Sequence, residues 1–142
     1  MKNKILLVGL FCCSLVSTEA QVLLDKNAGK NSFPIVSPAA NVVVCFDGKD
    51  ETVVRKSVTL FADDVRRVTG QDLKTQASNP GDVSARYAII VGTVGKSAWI
   101  NALVAQKKID TTPITGGWER YMIETVDNPA PGIKKAIVVA GS

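Results

Sequence analysis

Carboxylates are the side chains of this chain that could carry acid and base chemistry, because its 142 residues include no histidine. The absence of histidine removes the Ser-His and Cys-His nucleophile arrangements, the helical two-histidine zinc site and the commonest general base near neutral pH. Two carboxyl groups roughly 5 to 10 Å apart can still act as acid and base across a glycosidic bond. The acidic residues are therefore the first candidates for a catalytic site.

Most of the carboxylates lie at positions where acidic residues are common for structural reasons. Asp47 and Asp50 lie at a predicted helix entrance, Asp63 and Asp64 on the flank of that helix, and Asp82 and Asp127 in predicted loops. Glu119 and Glu124 are five residues apart on a predicted strand, so they should point to opposite faces of a sheet. Asp63 and Arg67 are four apart in the order that supports a helix, which favours a solvated surface pair over a catalytic dyad. We predict no catalytic residue in this chain.

The segment Gly92-Thr93-Val94-Gly95-Lys96-Ser97 follows a predicted buried strand and opens a predicted helix, where a phosphate-binding loop would lie. Its last three residues match the end of such a loop. The first glycine of that motif should fall at position 90, which is Ile90, and Gly92 leaves a loop too short to cradle a polyphosphate. We interpret the segment as a tight turn into a helix and predict no bound cofactor.

Four aromatic residues could stack on pyranose rings: Tyr87, Trp99, Trp118 and Tyr121. Trp118 and Tyr121 differ by an odd number on one predicted strand, so they should face opposite sides of the sheet. These rings are therefore expected to pack in the core or against a neighbouring domain.

Residues 1–20 have the three parts of a secretory signal peptide. Lys2 and Lys4 give a positive start, Ile5–Val16 is apolar, and small residues precede a predicted cut after Ala20. The apolar run is shorter than the roughly 20 residues that cross a bilayer. We expect a secreted or periplasmic protein with no membrane segment after cleavage.

Cysteines and basic residues exclude further kinds of site. Cys12 and Cys13 leave with the signal peptide, and Cys45 cannot form an internal disulfide alone. Its place in the apolar run 42–46 predicts a buried thiol. With one cysteine and no histidine, we predict no metal site. The net charge is +4, but the basic residues are scattered without interleaved aromatic rings, which argues against nucleic-acid binding.

Two helices are predicted from the spacing of apolar residues. The first runs from about Glu51 to Val68, with Asp50 placed to cap its start and Gly70 to end it. Its apolar residues recur at steps of four and three: Val54, Val58, Phe61, Val65 and Val68. The second runs from about Lys96 to Ala105. Its inward residues are predicted to be Ile100, Leu103 and Val104.

Five strands complete the predicted order β-α-β-β-α-β-β: Asn41–Phe46, Leu73–Ala77, Tyr87–Val91, Trp118–Val126 and Lys135–Ala140. This order predicts an α+β (α/β-like) fold with a mixed sheet of about five strands, two helices, and a final hairpin that turns over residues 128–132. The predicted organisation is a signal peptide at 1–20, a lead-in loop at 21–40 and one α/β domain at 41–142. Because the sequence stops directly after a buried strand, we expect that domain to be incomplete at its C-terminus.

Five segments occur in a characteristic order: Phe33-Pro34-Ile35-Val36, the helix end from Phe61 to Gly70, Ile89-Ile90-Val91-Gly92-Thr93, Gly117-Trp118-Glu119-Arg120-Tyr121, and Ala136 to Ser142. Over residues 33–142 the chain resembles the N-terminal domain of glycoside hydrolase family 115, the xylan α-1,2-glucuronidases. Its Val-Thr-Gly and Ile-Val-Gly-Thr segments are also similar to the N-terminal domains of β-hexosaminidases and family 67 α-glucuronidases. The Gly-Trp-Glu and Ala-Gly-Ser segments favour family 115.

The resemblance implies a parent enzyme that hydrolyses glucuronic or 4-O-methylglucuronic acid side chains of xylan with inversion and without a metal. It places the active site in a downstream (β/α)8 catalytic domain, so no catalytic residue carries over to this chain. The chain is then an accessory domain packed on that barrel, with glucuronoxylan as the substrate of the full enzyme. The alternatives are the equivalent domain of an exported β-hexosaminidase-type glycosidase and a stand-alone secreted carbohydrate-binding module.

Overall fold

The computed structural model describes residues 29, 32–37 and 40–142. The predicted signal peptide, its cut after Ala20 and most of the predicted lead-in loop lie outside these residues. The elements are β1 (Val42–Phe46), α1 (Thr52–Thr69), β2 (Lys74–Ala77), β3 (Ala85–Thr93), α2 (Ala98–Ala105), β4 (Tyr121–Ala130) and β5 (Ile133–Gly141). The predicted α+β fold and its element order are confirmed. Within the described residues, neither helix is long and apolar enough to cross a membrane.

The five strands form one sheet in the order β2-β1-β3-β5-β4. β1 is parallel to β2 and β3, β3 is parallel to β5, and β4 pairs antiparallel with β5 in the predicted hairpin. After β1 the chain passes through α1 to β2, toward one edge of the sheet. After β3 it passes through α2 to β4 and β5, toward the other edge. The carboxyl ends of β1 and β3 therefore form a switch point, which is where open α/β sheets usually bind their ligands.

Helix α1 covers one face of the sheet over β1, β2 and β3. Val54, Val58 and Val65 are buried there with Val44 and Ile89.

The predicted apolar stripe of α1 is wrong at two positions, because Phe61 is 38% and Val68 85% exposed. The buried stripe is turned toward Ala62, which packs on the same cluster, so Phe61 and Val68 fall on its rim.

Helix α2 covers the opposite face of the sheet. Trp99, Ile100 and Leu103 pack there against small and β-branched residues that include Ala88 and Ala136. Val104, predicted to face inward, is 38% exposed. Cys45 is fully buried on this face, as predicted.

The predicted turn at residues 128–132 is too long. β4 continues to Ala130, with a register shift between Asp127 and Ala130, and the turn lies at Pro131 and Gly132. Pro129 is accommodated because β4 is an edge strand and the bulge interrupts its pairing. Asp127, predicted in a loop, is therefore a strand residue, opposite Lys135.

Candidate functional site

Two aspartates that follow β1 fasten the turn between β3 and α2. Asp47 accepts a hydrogen bond from the Ala98 N–H at Oδ2 (2.9 Å) and from the Lys49 N–H at Oδ1 (2.8 Å). Asp50 accepts from the Thr93 N–H at Oδ2 (2.9 Å). The switch point is thus bridged by the chain's own carboxylates.

Asp50 was predicted to cap α1, and the structure places it one residue earlier. The N-cap residue of α1 is Glu51, which makes no side-chain capping bond. Asp50 Oδ1 accepts from the Glu51 N–H (2.7 Å), while Oδ2 reaches across to β3. Gly70 ends α1 as predicted, with a left-handed φ of 71° and its N–H bonded to the Arg66 carbonyl (2.8 Å).

The Asp47 carboxylate occupies the N-terminus of α2, where the helix dipole favours a negative charge. Hydrogen bonds from the Lys49 and Ala98 N–H groups lower the pKa of Asp47, and burial opposes that shift only in part. An external anion at this helix end would meet a carboxylate already bonded to the first N–H of α2, that of Ala98.

Each backbone N–H from Thr93 to Ala98 donates to a partner within the chain. Thr93 and Ala98 donate to the two aspartates. The Val94 N–H donates to the Gly141 carbonyl (2.9 Å), and the Gly95 N–H donates to the Asn101 side chain (3.1 Å). The N–H groups of Lys96 and Ser97 both donate to the Thr93 carbonyl. This bonding agrees with a tight turn into a helix, because no N–H of the turn is left for a phosphate.

Lys96, the lysine of the Gly-Lys-Ser sequence, forms an ion pair with Glu51. The hydrogen bond from Lys96 to Glu51, with the charge of the same carboxylate, raises the pKa of Lys96. Both side chains are exposed, so the pair ties the β3–α2 turn to the start of α1 at the surface.

Gly92 allows β3 to approach the start of α2. A Cβ atom at this position would lie 2.5 Å from Ser97 Cβ and 2.9 Å from Ile100 Cγ1, and would also contact Ser97 Oγ. We expect Gly92→Ala to lower the free energy of unfolding by about 2–3 kcal/mol, as overpacked cores do. Urea denaturation measures this loss. Gly141→Ala is the matched control, because nothing lies within 4 Å of its added Cβ, and an equal loss in both variants would contradict the steric explanation.

The carboxylates on the flank of α1 form surface ion pairs. Asp63 lies 3.2 Å from Arg66 and Asp64 lies 3.7 Å from Arg67, so the predicted pairing of Asp63 with Arg67 is wrong in its partner. The acidic residue instead takes the basic residue three positions on, which a helix also brings onto the same surface.

Glu119 and Trp118 were expected to lie on the same strand as Glu124 and Tyr121 and to point to the opposite face. This expectation is wrong, because β4 begins only at Tyr121. Glu119 has a left-handed φ of 51° and lies in the connection before the strand. Trp118 is 85% and Tyr121 70% exposed, so neither packs in the core of this domain. Core packing is confirmed for Trp99, at 1% exposure, and Tyr87 is half-buried against the apolar cluster under α1.

No group of three or more cysteine, aspartate or glutamate side chains in the described part of the chain is placed to hold a metal ion. Burial raises the pKa of Cys45 to about 11, against smaller opposing effects of Ser78 and Lys74. The thiol is therefore protonated at neutral pH and is a poor nucleophile and metal ligand.

No protein-family model matches the chain, and no curated protein matches it. At the switch point, Asp47 and Asp50 bind backbone N–H groups of the chain, and Gly92 provides room for α2. The sequence predicted the tight turn from its spacing. It gave no sign that Asp47 bonds to α2, because that contact joins residues 51 positions apart.

Proposed function

We propose that this chain is the N-terminal non-catalytic domain of a secreted glycoside hydrolase that removes (4-O-methyl)glucuronic acid side chains from xylan. The order of the five resembling segments carries the choice of enzyme class. In the fold, Phe33, Ile35 and Val36 pack on the α1 face, and the later segments fall at the end of α1, the end of β3, the entrance of β4 and along β5. The resembling segments therefore extend through the described fold, from the residues before β1 to the end of β5.

The observation that carries the supporting role is a part of the sheet that neither helix of the described residues covers. On the face where α1 packs, β4 and β5 present Tyr121, Ile123, Ile137 and Val139, which we call the open sheet face. Tyr121 is 70% and Ile123 51% exposed, while Ile137 and Val139 are half-buried. Contiguous exposed apolar surface usually marks a contact site. The open sheet face is suited to pack on a catalytic barrel.

The non-catalytic role is supported by the carboxylates themselves. Asp47 and Asp50 bond to backbone N–H groups, while Asp63 and Asp64 form surface ion pairs. Glycoside hydrolysis requires two carboxyl groups facing each other across a cleft that holds a sugar. Carboxylates already bonded within the fold are poor candidates for that task.

The enzyme class is tested by identifying the sugar that the protein encoded by the full reading frame releases. We expect the complete protein to liberate 4-O-methylglucuronic acid from glucuronoxylan, and a version without residues 21–142 to unfold at a lower temperature. Chromatography of the products and a thermal melt measure these effects. Release of N-acetylglucosamine from N-acetylglucosaminides instead would assign the domain to a hexosaminidase-type enzyme and overturn the proposal.

A carbohydrate-binding module is the second candidate, favoured by the exposure of Trp118 and Tyr121. Flat exposed rings can stack on sugars. If this candidate is correct, the chain alone sediments with insoluble xylan, Trp118→Ala abolishes binding, and Phe61→Ala on α1 leaves it unchanged. The supporting-domain proposal expects no sedimentation of any of the three proteins.

A further inference from the structure

The two edges of the sheet are protected to different degrees. β2 is four residues long and largely exposed, with Lys74 at its start, and short charged edges resist pairing. β4 is ten residues long, and its second half carries Pro129 and the bulge between Asp127 and Ala130. Its first half, Tyr121–Thr125, has no proline, bulge or lysine. This half is the open edge of the described sheet.

At alternate residues of the open edge, the backbone N–H and C=O groups point away from β5. The Ser142 N–H donates to the Arg120 carbonyl (2.9 Å), so Arg120 and every second residue after it bond toward β5. Tyr121, Ile123 and Thr125 therefore direct their N–H and C=O groups outward. Among the described residues, the backbone groups of Tyr121 and Ile123 therefore lack a strand partner, and the side chains of these two residues are the exposed large apolar ones of this strand.

We propose that Tyr121–Ile123 pairs antiparallel with the same three residues of a second copy of this chain, with Tyr121 of one copy opposite Ile123 of the other. Outward groups meet outward groups in this register, which gives four backbone hydrogen bonds about a twofold axis. An aromatic residue also meets a β-branched residue twice, a favourable cross-strand pair. The two five-stranded sheets then become one of ten strands.

Charge complementarity selects this register from its neighbours. In the proposed register, Arg120 of each copy lies opposite Glu124 of the other copy. The registers that keep outward groups paired differ from it by two residues or more. Its two neighbours place Glu124 opposite Met122 or opposite the position of Trp118, neither of which carries a charge. The register beyond the first of these places Glu124 opposite its own copy, where like charges repel. Arg120 donates one bond to the Pro113 carbonyl (3.2 Å) and keeps further N–H donors for a carboxylate.

The contact is small, which sets the expected strength of the dimer. A pairing limited to one short edge falls below the roughly 1,200 Å² of stable complexes. We expect a weak dimer, visible by sedimentation equilibrium of the full chain as its concentration rises from the micromolar to the millimolar range. The amide NMR signals of Tyr121 and Ile123 should shift over the same range.

Proline substitutions at two outward positions test the pairing. Ile123→Pro removes an N–H that bonds nothing in β5, so the fold should survive and the protein should stay monomeric. Thr125→Pro is the matched control: its N–H also points outward, but it faces Glu119 of the second copy, which leaves the strand with a φ of 51°. This variant should dimerise like the wild type. Circular dichroism checks that both variants are folded.

Charge reversal tests the register. We expect Arg120→Glu and Glu124→Arg each to raise the dimer dissociation constant about tenfold, since two symmetry-related pairs become repulsive. The double variant should restore the wild-type constant. A wild-type protein that stays monomeric at millimolar concentration, an Ile123→Pro variant that dimerises normally, or a double variant that is not restored would each overturn the proposal.

Discussion

Replacing Asp47 with alanine is expected to lower the free energy of unfolding by about 3–5 kcal/mol, because two hydrogen bonds to a charged acceptor are lost together. The N–H groups of Lys49 and Ala98 lose their acceptor, and the latter begins α2. Urea denaturation followed by circular dichroism measures the loss. The matched control is Asp82→Ala, whose carboxylate accepts only exposed bonds from Asn79 and should change stability by less than about 0.5 kcal/mol.

Acid should reduce the contribution of Asp47. The pKa of Asp47 is lowered in the folded protein, so its stabilisation is complete above the unfolded-state pKa of about 3.9 and is lost as the pH falls through the lower folded-state value. The stability difference between the wild type and Asp47→Asn should therefore shrink below about pH 4. A difference that stays constant on acidification would contradict the role assigned to the charge.

Replacing Trp99 with alanine should cost a similar amount, about 3–5 kcal/mol, because a large ring leaves a cavity in the core. Trp99 is 1% exposed, and its Nε1–H donates to the Ser78 carbonyl (2.7 Å) in the loop after β2. The ring thus joins α2 to the connection between β2 and β3. The unfolding free energy of the variant in urea checks the expectation.

Two further tryptophan variants separate volume from hydrogen bonding. Trp99→Phe fills most of the space but leaves the Ser78 carbonyl without its donor, so we expect a loss of about 1–2 kcal/mol. Trp118→Ala removes a ring that is 85% exposed and should cost less than about 0.5 kcal/mol. A Trp118→Ala loss as large as that of Trp99→Ala would show that Trp118 is packed in solution.

The elements could be predicted where a local pattern decides them. The period of the apolar residues placed α1 within one residue of its observed bounds, and Gly70 ended it because glycine adopts the left-handed conformation readily. The same period could not show which edge of the apolar stripe of α1 the sheet would cover. Phe61 and Val68 were therefore expected to be buried against the sheet. Proline and glycine at residues 129–132 suggested a long turn, although an edge strand tolerates Pro129.

The candidate site was only partly visible in the sequence. The spacing of Gly92, Gly95 and Lys96 was enough to argue against a phosphate-binding loop, because that motif has a fixed length. The bonds of Asp47 to α2 and of Asp50 to β3 depend on the tertiary arrangement, which brings the ends of β1 and β3 together. Turn chemistry alone placed both aspartates at the entrance of α1 and missed their contacts with β3 and α2.

We propose that this chain supports an enzyme and contains no active site of its own. The most direct test incubates the purified chain with glucuronoxylan and measures released 4-O-methylglucuronic acid, with the full reading frame as the positive control. The proposal predicts release by the complete protein and none above buffer by the chain alone. Release by the chain alone, abolished by a substitution such as Glu124→Gln, would contradict it.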